Sequence, residues 1–194
     1  MARTTMAKKQ ETHETIVREA AAAIRAHGYQ GVSVADIMKR AGLTHGGFYA
    51  HFASRDAMCT EAIERAGAES IERLRRVAEQ APRGGAVDAM VEAYLSDRHV
   101  AEAARGCAIV AVGTETARQA PEVRRAATRG VRAMAEVFAE QGATDDEALG
   151  ILSCMIGAMV LARMVDDPML GTAIRTSAQD LIRRRPRRGK KAAG

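Results

Sequence analysis

The sequence has few aromatic residues, prolines and cysteines, and each shortage argues against a class of protein. Aromatic residues make up 3% of the 194 residues, Trp is missing, and Pro occurs 4 times. An alanine-rich sequence with so few aromatics and prolines favours close-packed helices over a β-sandwich or a β-barrel. We therefore predict an all-α fold.

The cysteines Cys59, Cys107 and Cys154 are odd in number and lack the spacing of a metal site. They argue against a disulfide framework or a zinc site and fit reduced thiols in a cytosol. Residues 1–10 are polar and basic, unlike a signal peptide, and the longest apolar stretch, 151–161, is too short to span a bilayer. We expect a cytoplasmic protein with no membrane partner, no metal and no cofactor.

Charge is divided unevenly along the chain. Residues 1–60 carry a net charge of +3 and residues 61–182 one of −5, while residues 183–191 contain seven basic side chains. Two basic ends therefore flank an acidic body, and each end is a candidate to meet a polyanion. We expect a flexible basic arm over 1–9 and a disordered basic tail over 185–194.

Apolar periodicity and capping residues predict nine helices and no strand. The predicted helices span about 10–27, 34–41, 45–51, 55–80, 86–103, 106–119, 121–141, 145–165 and 168–184. Ser33 with Asp36, and Thr144 with Glu147, have the spacing of capping boxes. The break after the first four helices lies at Pro82–Gly85.

The segment 33–52 has the pattern of a helix-turn-helix, with a glycine-centred turn before a very short second helix. In such a unit the N-terminal residues of the second helix lie at the base edges in the major groove. Here those residues are Thr44, His45 and Gly46. Thr44 is also the predicted N-cap of this helix, and we expect Phe48 and Phe52 to pack inward. Because Gly46 and Gly47 carry no side chain, the backbone can come close to the DNA.

The run 20–58 resembles the N-terminal domain of TetR-type transcriptional regulators. The matching residues are Gly28-Tyr29, Val32-Ser33-Val34, Asp36-Ile37, Ala41-Gly42-Leu43-Thr44, Gly46, Phe48-Tyr49-Ala50-His51-Phe52 and Ser54-Arg55. The resemblance implies a homodimer that binds double-stranded operator DNA, with a helix-turn-helix domain over 10–55 and a ligand-binding and dimerisation domain over 56–184. It also implies phosphate contacts by Ser33, Tyr49, His51 and Arg55. Gly47 stands where the family commonly has Ser, Thr or Ala, which leaves the operator sequence open.

The body is expected to supply a dimer interface and a ligand pocket. Its last two helices lie over 144–184, and the first of them is apolar on more than one face, which fits a two-fold four-helix interface; a buried core helix of a monomer is the alternative. The interface candidates are Ile151, Leu152, Met155, Ile156, Met159, Ile174 and Leu181. The inward pattern gives as pocket candidates, each with plain core packing as the alternative, Tyr94, Arg98, Cys107, Val110, Val112, Thr114, Met134, Phe138, Met155 and Met159.

These observations predict a ligand-responsive DNA-binding regulator, by default a repressor released by a small, mostly apolar effector. The sequence contains no recognisable catalytic set, so we do not expect an enzyme. Two alternatives stay open. One is an activator of the same fold. The other is a repressor that senses oxidants or electrophiles through Cys107, which follows Arg105 and Gly106 at a helix start, where thiols become reactive.

Overall fold

A computed structural model describes residues 2–184, with side chains from Met6 onward. Over that range the backbone forms nine α-helices and two 3-10 helices, and no strand. The α-helices are α1 (Ala2–His27), α2 (Val34–Arg40), α3 (Arg55–Gln80), α4 (Ala86–Tyr94), α5 (Asp97–Ala101), α6 (Ala108–Thr116), α7 (Pro121–Glu140), α8 (Asp145–Met164) and α9 (Pro168–Arg183); the 3-10 helices are His45–Ala50 and Ala103–Arg105. The all-α prediction is confirmed, while the predicted tail 185–194 lies outside the described residues.

The N-terminal segment differs from the prediction. α1 begins at Ala2, so residues 2–9 form the first turns of a helix and not a loose arm. No glycine or proline interrupts residues 2–27, and so nothing in the sequence stops the helix from continuing toward the N-terminus. The helix ends at Gly28, whose φ of +76° is readily adopted only by glycine.

The predicted helix 86–103 is divided into α4, α5 and the second 3-10 helix. The break lies at Ser96, whose hydroxyl accepts a hydrogen bond from the backbone N–H of His99 (3.3 Å) and so caps a new helix. His99 Nδ1 also donates a hydrogen bond to the backbone carbonyl of Tyr94 (2.6 Å). A continuing helix would have used that carbonyl for its own backbone ladder.

Buried apolar side chains form two clusters, and α3 contributes to both. The first core joins α1, α2, the first 3-10 helix and the N-terminal half of α3 to α6 and the start of α7. The second core joins the C-terminal half of α3 to α4, α7, α8 and α9. The predicted domain boundary at residue 55 stays a prediction, and the first core extends across it.

α8 is the one helix within residues 2–184 that is long and apolar enough, by length and composition, to cross a membrane. The apolar stretch 151–161, which alone is too short to span a bilayer, is only the central part of this helix. Three acidic residues and a capping box with Thr144 form its N-terminal turn, and one side of it is buried in the second core. α8 is thus a core helix of a packed body, and its other side is exposed.

Candidate nucleic-acid interface and ligand cavities

The helix-turn-helix begins at a capping box. The Ser33 hydroxyl accepts a hydrogen bond from the backbone N–H of Asp36 (3.1 Å) and donates one to Asp36 Oδ2 (2.5 Å), while the backbone N–H of Ser33 donates to the same carboxylate oxygen. These hydrogen bonds also hold the pKa of Asp36 below its usual value. The predicted capping box is therefore present, and a phosphate contact through the Ser33 hydroxyl would have to replace its bond to Asp36.

The predicted reading helix is a 3-10 helix, His45–Ala50, preceded by the turn at Gly42. Phe48 is 2% exposed and stacks on Phe52 at a centroid distance of 5.4 Å, so the segment is held from beneath. Thr44 precedes the helix, but its side chain makes no capping hydrogen bond, contrary to the prediction. Thr44 and His45 are exposed, and their side chains make no hydrogen bond or ion pair with another residue that the structure describes.

The two glycines of this segment leave space on its outer side. A Cβ added at Gly46 would meet nothing within 4 Å, and one at Gly47 would make only an ordinary contact with Met38 Cε at 3.6 Å. Packing within the protein therefore requires no glycine at either position. This fits the prediction that their small size serves a close approach of DNA to the backbone.

Tyr49 and His51, the predicted phosphate ligands, lie in different environments. Tyr49 is 73% exposed and packs edge-on against Phe48. His51 is half-buried, and its Nδ1 is buried without a hydrogen-bond partner among the described residues. Burial, together with the charges of His13 and Lys9, lowers the pKa of His51 below 6.5. Tyr49 is thus the more accessible of the two.

Arg55 has a structural role that the sequence did not reveal. Its guanidinium donates a hydrogen bond from Nη2 to the backbone carbonyl of Tyr29, in the loop between α1 and α2. Lys39 and Arg40, which the sequence pattern did not indicate as site residues, are exposed in the last turn of α2, next to the turn that leads to the reading segment. Their charge and their position at a helix end could have identified them as additional phosphate contacts.

α6 contacts the DNA-reading end directly. Glu115 Oε2 accepts a hydrogen bond from the backbone N–H of Tyr29 (3.0 Å), and the Tyr29 hydroxyl lies 3.1 Å from Thr116 Oγ1. Tyr29 is fully buried. Burial is the largest cause of the raised pKa of its hydroxyl, which is about 12. The loop from Gly28 to Val32, called the reading loop because it leads from α1 into the helix-turn-helix, is therefore attached to the body as well as to α1.

α6 also forms one wall of an apolar cavity of about 140 Å³ between α3, α6 and α7. Three pocket candidates line it, namely Cys107, Val112 and Met134. A second, open cleft of about 780 Å³ lies between α1, α3 and the segment 93–107. Tyr94, Arg98 and again Cys107 line this cleft. Cys107 therefore lies in the wall between the two cavities.

The remaining pocket candidates line neither cavity. Phe138, Met155 and Met159 are fully buried in the second core, so their inward periodicity reflects core packing. Val110 packs at the edge of that core, and Thr114 is exposed on α6. The inward pattern thus found the right helices, but it did not distinguish cavity walls from solid core.

The candidate dimer interface needs a similar correction. Four of its residues, Ile151, Leu152, Met155 and Met159, are buried inside the second core of the chain itself and are not available to a partner. Ile156 and Ile174 are half-buried at the edge of that core, and Leu181 is 67% exposed. The exposed apolar side chains of α8 and α9 are instead Leu149, Val160, Leu161, Met164, Leu170, Met169 and Leu181.

A capped helix-turn-helix with an exposed reading segment, attached to a helical body with cavities, defines a DNA-binding regulator. Residues 16–62 match the family described as bacterial regulatory proteins, tetR family. The N-terminal part of the chain thus matches the DNA-binding domain of TetR-family transcriptional regulators, which confirms the resemblance found in the sequence.

Solved structures share the fold over nearly the whole chain. A TetR transcriptional regulator from Chloroflexus aurantiacus is 24% identical, with a TM-score of 0.77 over 91% of this chain and 96% of that one. Reduced NemR from E. coli is 17% identical, with a TM-score of 0.77 over 89% and 95% of the two chains. A TetR-family regulator from Cytophaga hutchinsonii is 18% identical, with a TM-score of 0.74 over 91% and 95%. Among curated proteins, none matches the sequence.

Proposed function

We propose that this protein is a homodimeric transcriptional repressor that binds a palindromic operator and is released from it by a small molecule. The observation that carries the proposal is the exposed reading segment, with Thr44 and His45 unoccupied and Tyr49 73% exposed above a buried Phe48. Such a segment offers polar groups to base edges and to phosphates while its own core stays intact.

DNA selection from random duplexes, followed by affinity measurements at several salt concentrations, tests the reading segment. Tyr49→Ala is expected to weaken binding to all duplexes, because a phosphate contact positions the protein without specifying a sequence. Thr44→Val is expected to change the preferred sequence, at roughly 1–3 kcal/mol for a lost base contact. Arg75→Gln, on the exposed surface of α3, is the control. Unchanged operator affinity in a folded Tyr49→Ala protein would refute the docking model.

The dimer proposal is supported by the exposed apolar side chains of α8 and α9, which continue over both helices. On α8, a Cβ added at Gly150 or Gly157 would meet nothing within 4 Å, so this face is open for close approach of another helix. The new interface candidates are therefore Val160 and Met164 on α8, with Leu170 and Leu181 on α9. Two such helices from each copy would form a four-helix interface.

Sedimentation of the protein and of a charge-bearing variant tests this interface. Val160→Asp places a carboxylate in the proposed seam, where burial without a partner is unfavourable. We expect it to yield folded monomers that bind the operator weakly. Ala68→Asp, at an exposed position of α3, controls for the effect of Asp in a helix. A wild-type protein that sediments as a monomer at micromolar concentration would contradict the proposal.

Ligand control is supported by two routes from the cavities to the reading segment. α3 lines both cavities and begins at Arg55, shortly after the reading segment ends at Ala50. α6, which the sequence analysis did not implicate, lines the apolar cavity and binds the loop at Tyr29 through Glu115. A ligand that favours another position of either helix would change the spacing between the reading segments of the two copies in the dimer. About 1–3 kcal/mol of coupling between the two sites lowers operator affinity roughly 5- to 150-fold.

A thermal-stability screen followed by operator binding tests ligand control. Compounds that raise the melting temperature are expected to lower operator affinity, and operator DNA is expected to weaken their binding by the same factor. Stabilising compounds without any effect on operator affinity would refute this part of the proposal. In cells, deletion of the protein is expected to raise transcription from its operator, whereas a fall would identify an activator.

The alternative of a sensor that acts through Cys107 is weaker in this structure. The Cys107 side chain is 1% exposed, so an oxidant or electrophile reaches it only after local opening. Replacement of Cys107 by Ser should leave release by a small molecule intact if our proposal holds.

A further inference from the structure

The open cleft of about 780 Å³ is lined by more positive than negative side chains. Six arginines line it, Arg18, Arg25, Arg73, Arg76, Arg98 and Arg105, together with three glutamates, Glu19, Glu69 and Glu102. Two of the glutamates form ion pairs with cleft arginines at its rim, Glu19 with Arg18 and Glu102 with Arg98. Arg25 and Arg73 do not belong to these two ion pairs.

Arg25 and Arg73 line the cleft together with Glu69. Arg25 is 6% exposed, and its Nη1 donates to Glu69 Oε2 at 2.8 Å, but Glu69 is shared with Arg65 at the same distance. Arg25 Nε is buried without a partner among the described residues. Arg73 donates only to the Ser70 hydroxyl (3.0 Å) and forms no ion pair within the described range. Partial burial in the cleft, and then the like charge of Arg25, lower the pKa of Arg73.

The floor of the cleft is polar but already fixed in part. His99 Nδ1 donates to the Tyr94 carbonyl and its Nε2 accepts from the backbone N–H of Cys107 (3.1 Å), so both ring nitrogens are occupied. Burial lowers the pKa of His99, which keeps the ring neutral. The Tyr94 side chain is 5% exposed, and its hydroxyl has no nitrogen or oxygen partner among the described residues. Leu74 and Val77 add apolar surface beside these groups.

We propose that this cleft binds a small organic acid, with its carboxylate between Arg25 and Arg73 and its apolar part against Leu74 and Val77. A guanidinium binds a carboxylate through two parallel hydrogen bonds, and an added anion relieves the repulsion between the two arginines. The proposal rests on the proposed ligand control, and it replaces the mostly apolar effector predicted from sequence. Arg25 lies three residues before Gly28, so the bound acid would contact the helix that leads into the reading loop.

Calorimetric titration of the full chain without DNA tests the ligand class. Phenylacetate, benzoate and hexanoate are the probes, and each is compared with its uncharged amide. We expect at least one acid to bind at least roughly tenfold more tightly than its amide, because the amide loses the charge-assisted hydrogen bonds. We expect Arg73→Gln to remove this preference, while Arg75→Gln, which breaks an exposed pair with Glu140 outside the cleft, should keep it. Arg73 is exposed, so its replacement should leave the fold intact.

Acids that bind no better than their amides, or a preference that persists in Arg73→Gln, would overturn the proposal. Failure of all three acids to bind at millimolar concentration would overturn it as well. Operator affinity measured separately distinguishes this failure from failure of ligand control. If only neutral compounds release the operator, ligand control holds and the organic-acid proposal is refuted. If acids bind without releasing the operator, the acid site holds and ligand control is refuted.

Discussion

The contact between α6 and the reading loop can be measured through two glycines of nearly equal backbone conformation. Gly28 has φ of +76° and Gly42 has φ of +74°, and both follow helices of the first core. Replacement of either by Ala forces a side chain into the left-handed region, at about 1–2 kcal/mol. That cost is common to both variants, so the difference between them reports on their surroundings.

The surroundings differ at one point. A Cβ at Gly28 would lie 2.7 Å from Glu115 Oε1, whereas a Cβ at Gly42 would meet nothing within 4 Å. The flexible Glu115 side chain would move away and lose its hydrogen bond from the Tyr29 N–H. A hydrogen bond to a charged group contributes about 1.5–3 kcal/mol. We therefore expect Gly28→Ala to cost about 1–3 kcal/mol more than Gly42→Ala in the free energy of unfolding.

Urea denaturation followed by circular dichroism measures both costs, and a double-mutant cycle identifies their source. In a Glu115→Ala background the added cost of Gly28→Ala over Gly42→Ala should disappear, since the carboxylate that it displaces is gone. Equal costs in the wild-type background would refute the reasoning. So would an added cost that survives in Glu115→Ala, because the strain would then lie in the loop itself.

Two further predictions follow from other buried groups. Burial raises the pKa of Glu69, but hydrogen bonds from Arg65 and Arg25 outweigh this effect and hold the pKa below 4.5. Glu69→Gln should therefore lower the free energy of unfolding by roughly 1–3 kcal/mol at pH 7. The difference from wild type in urea denaturation should narrow as the pH falls below 4.5, because protonation removes the charge of Glu69 from the wild-type protein. A gap that is independent of pH would exclude this ion pair as its cause. Cys154 is half-buried while the other two cysteines are buried, so a thiol-reactive dye should label one thiol quickly in the native protein and all 3 after denaturation; rapid labelling of Cys107 would revive the thiol-sensor alternative.

The features that the sequence predicted well depend on neighbouring residues. Both capping boxes, at Ser33 and at Thr144, are present as expected, because the residues that form them are three apart. The turn at Gly42 and the buried Phe48 likewise follow from local pattern. Local signals do not, however, report whether a hydroxyl is used, and Thr44 was expected to cap its helix but does not.

The features that the sequence missed depend on side chains far apart in the chain. α8 is apolar on several faces, so its pattern alone did not show that Met155 is turned inward while Val160 is exposed. Arg25 and Arg73 read individually as solvated charges on amphipathic helices, and only the packing of α1 beside α3 brings them to one cleft. The contact of Glu115 with the reading loop joins residues 86 positions apart.

The attachment of α6 to Tyr29 has a consequence for building biosensors from this protein. A chimera that grafts the DNA reader of another regulator onto this body would be cut most simply within α3, which exchanges the loop but keeps Glu115 and Thr116. The incoming DNA-binding domain would then need a glycine at the position of Gly28 and a tyrosine directly after it. Without them the chimera would keep its connection through α3 but lose the contact with α6. Portability of the reader is therefore set by two residues outside the segment that touches DNA.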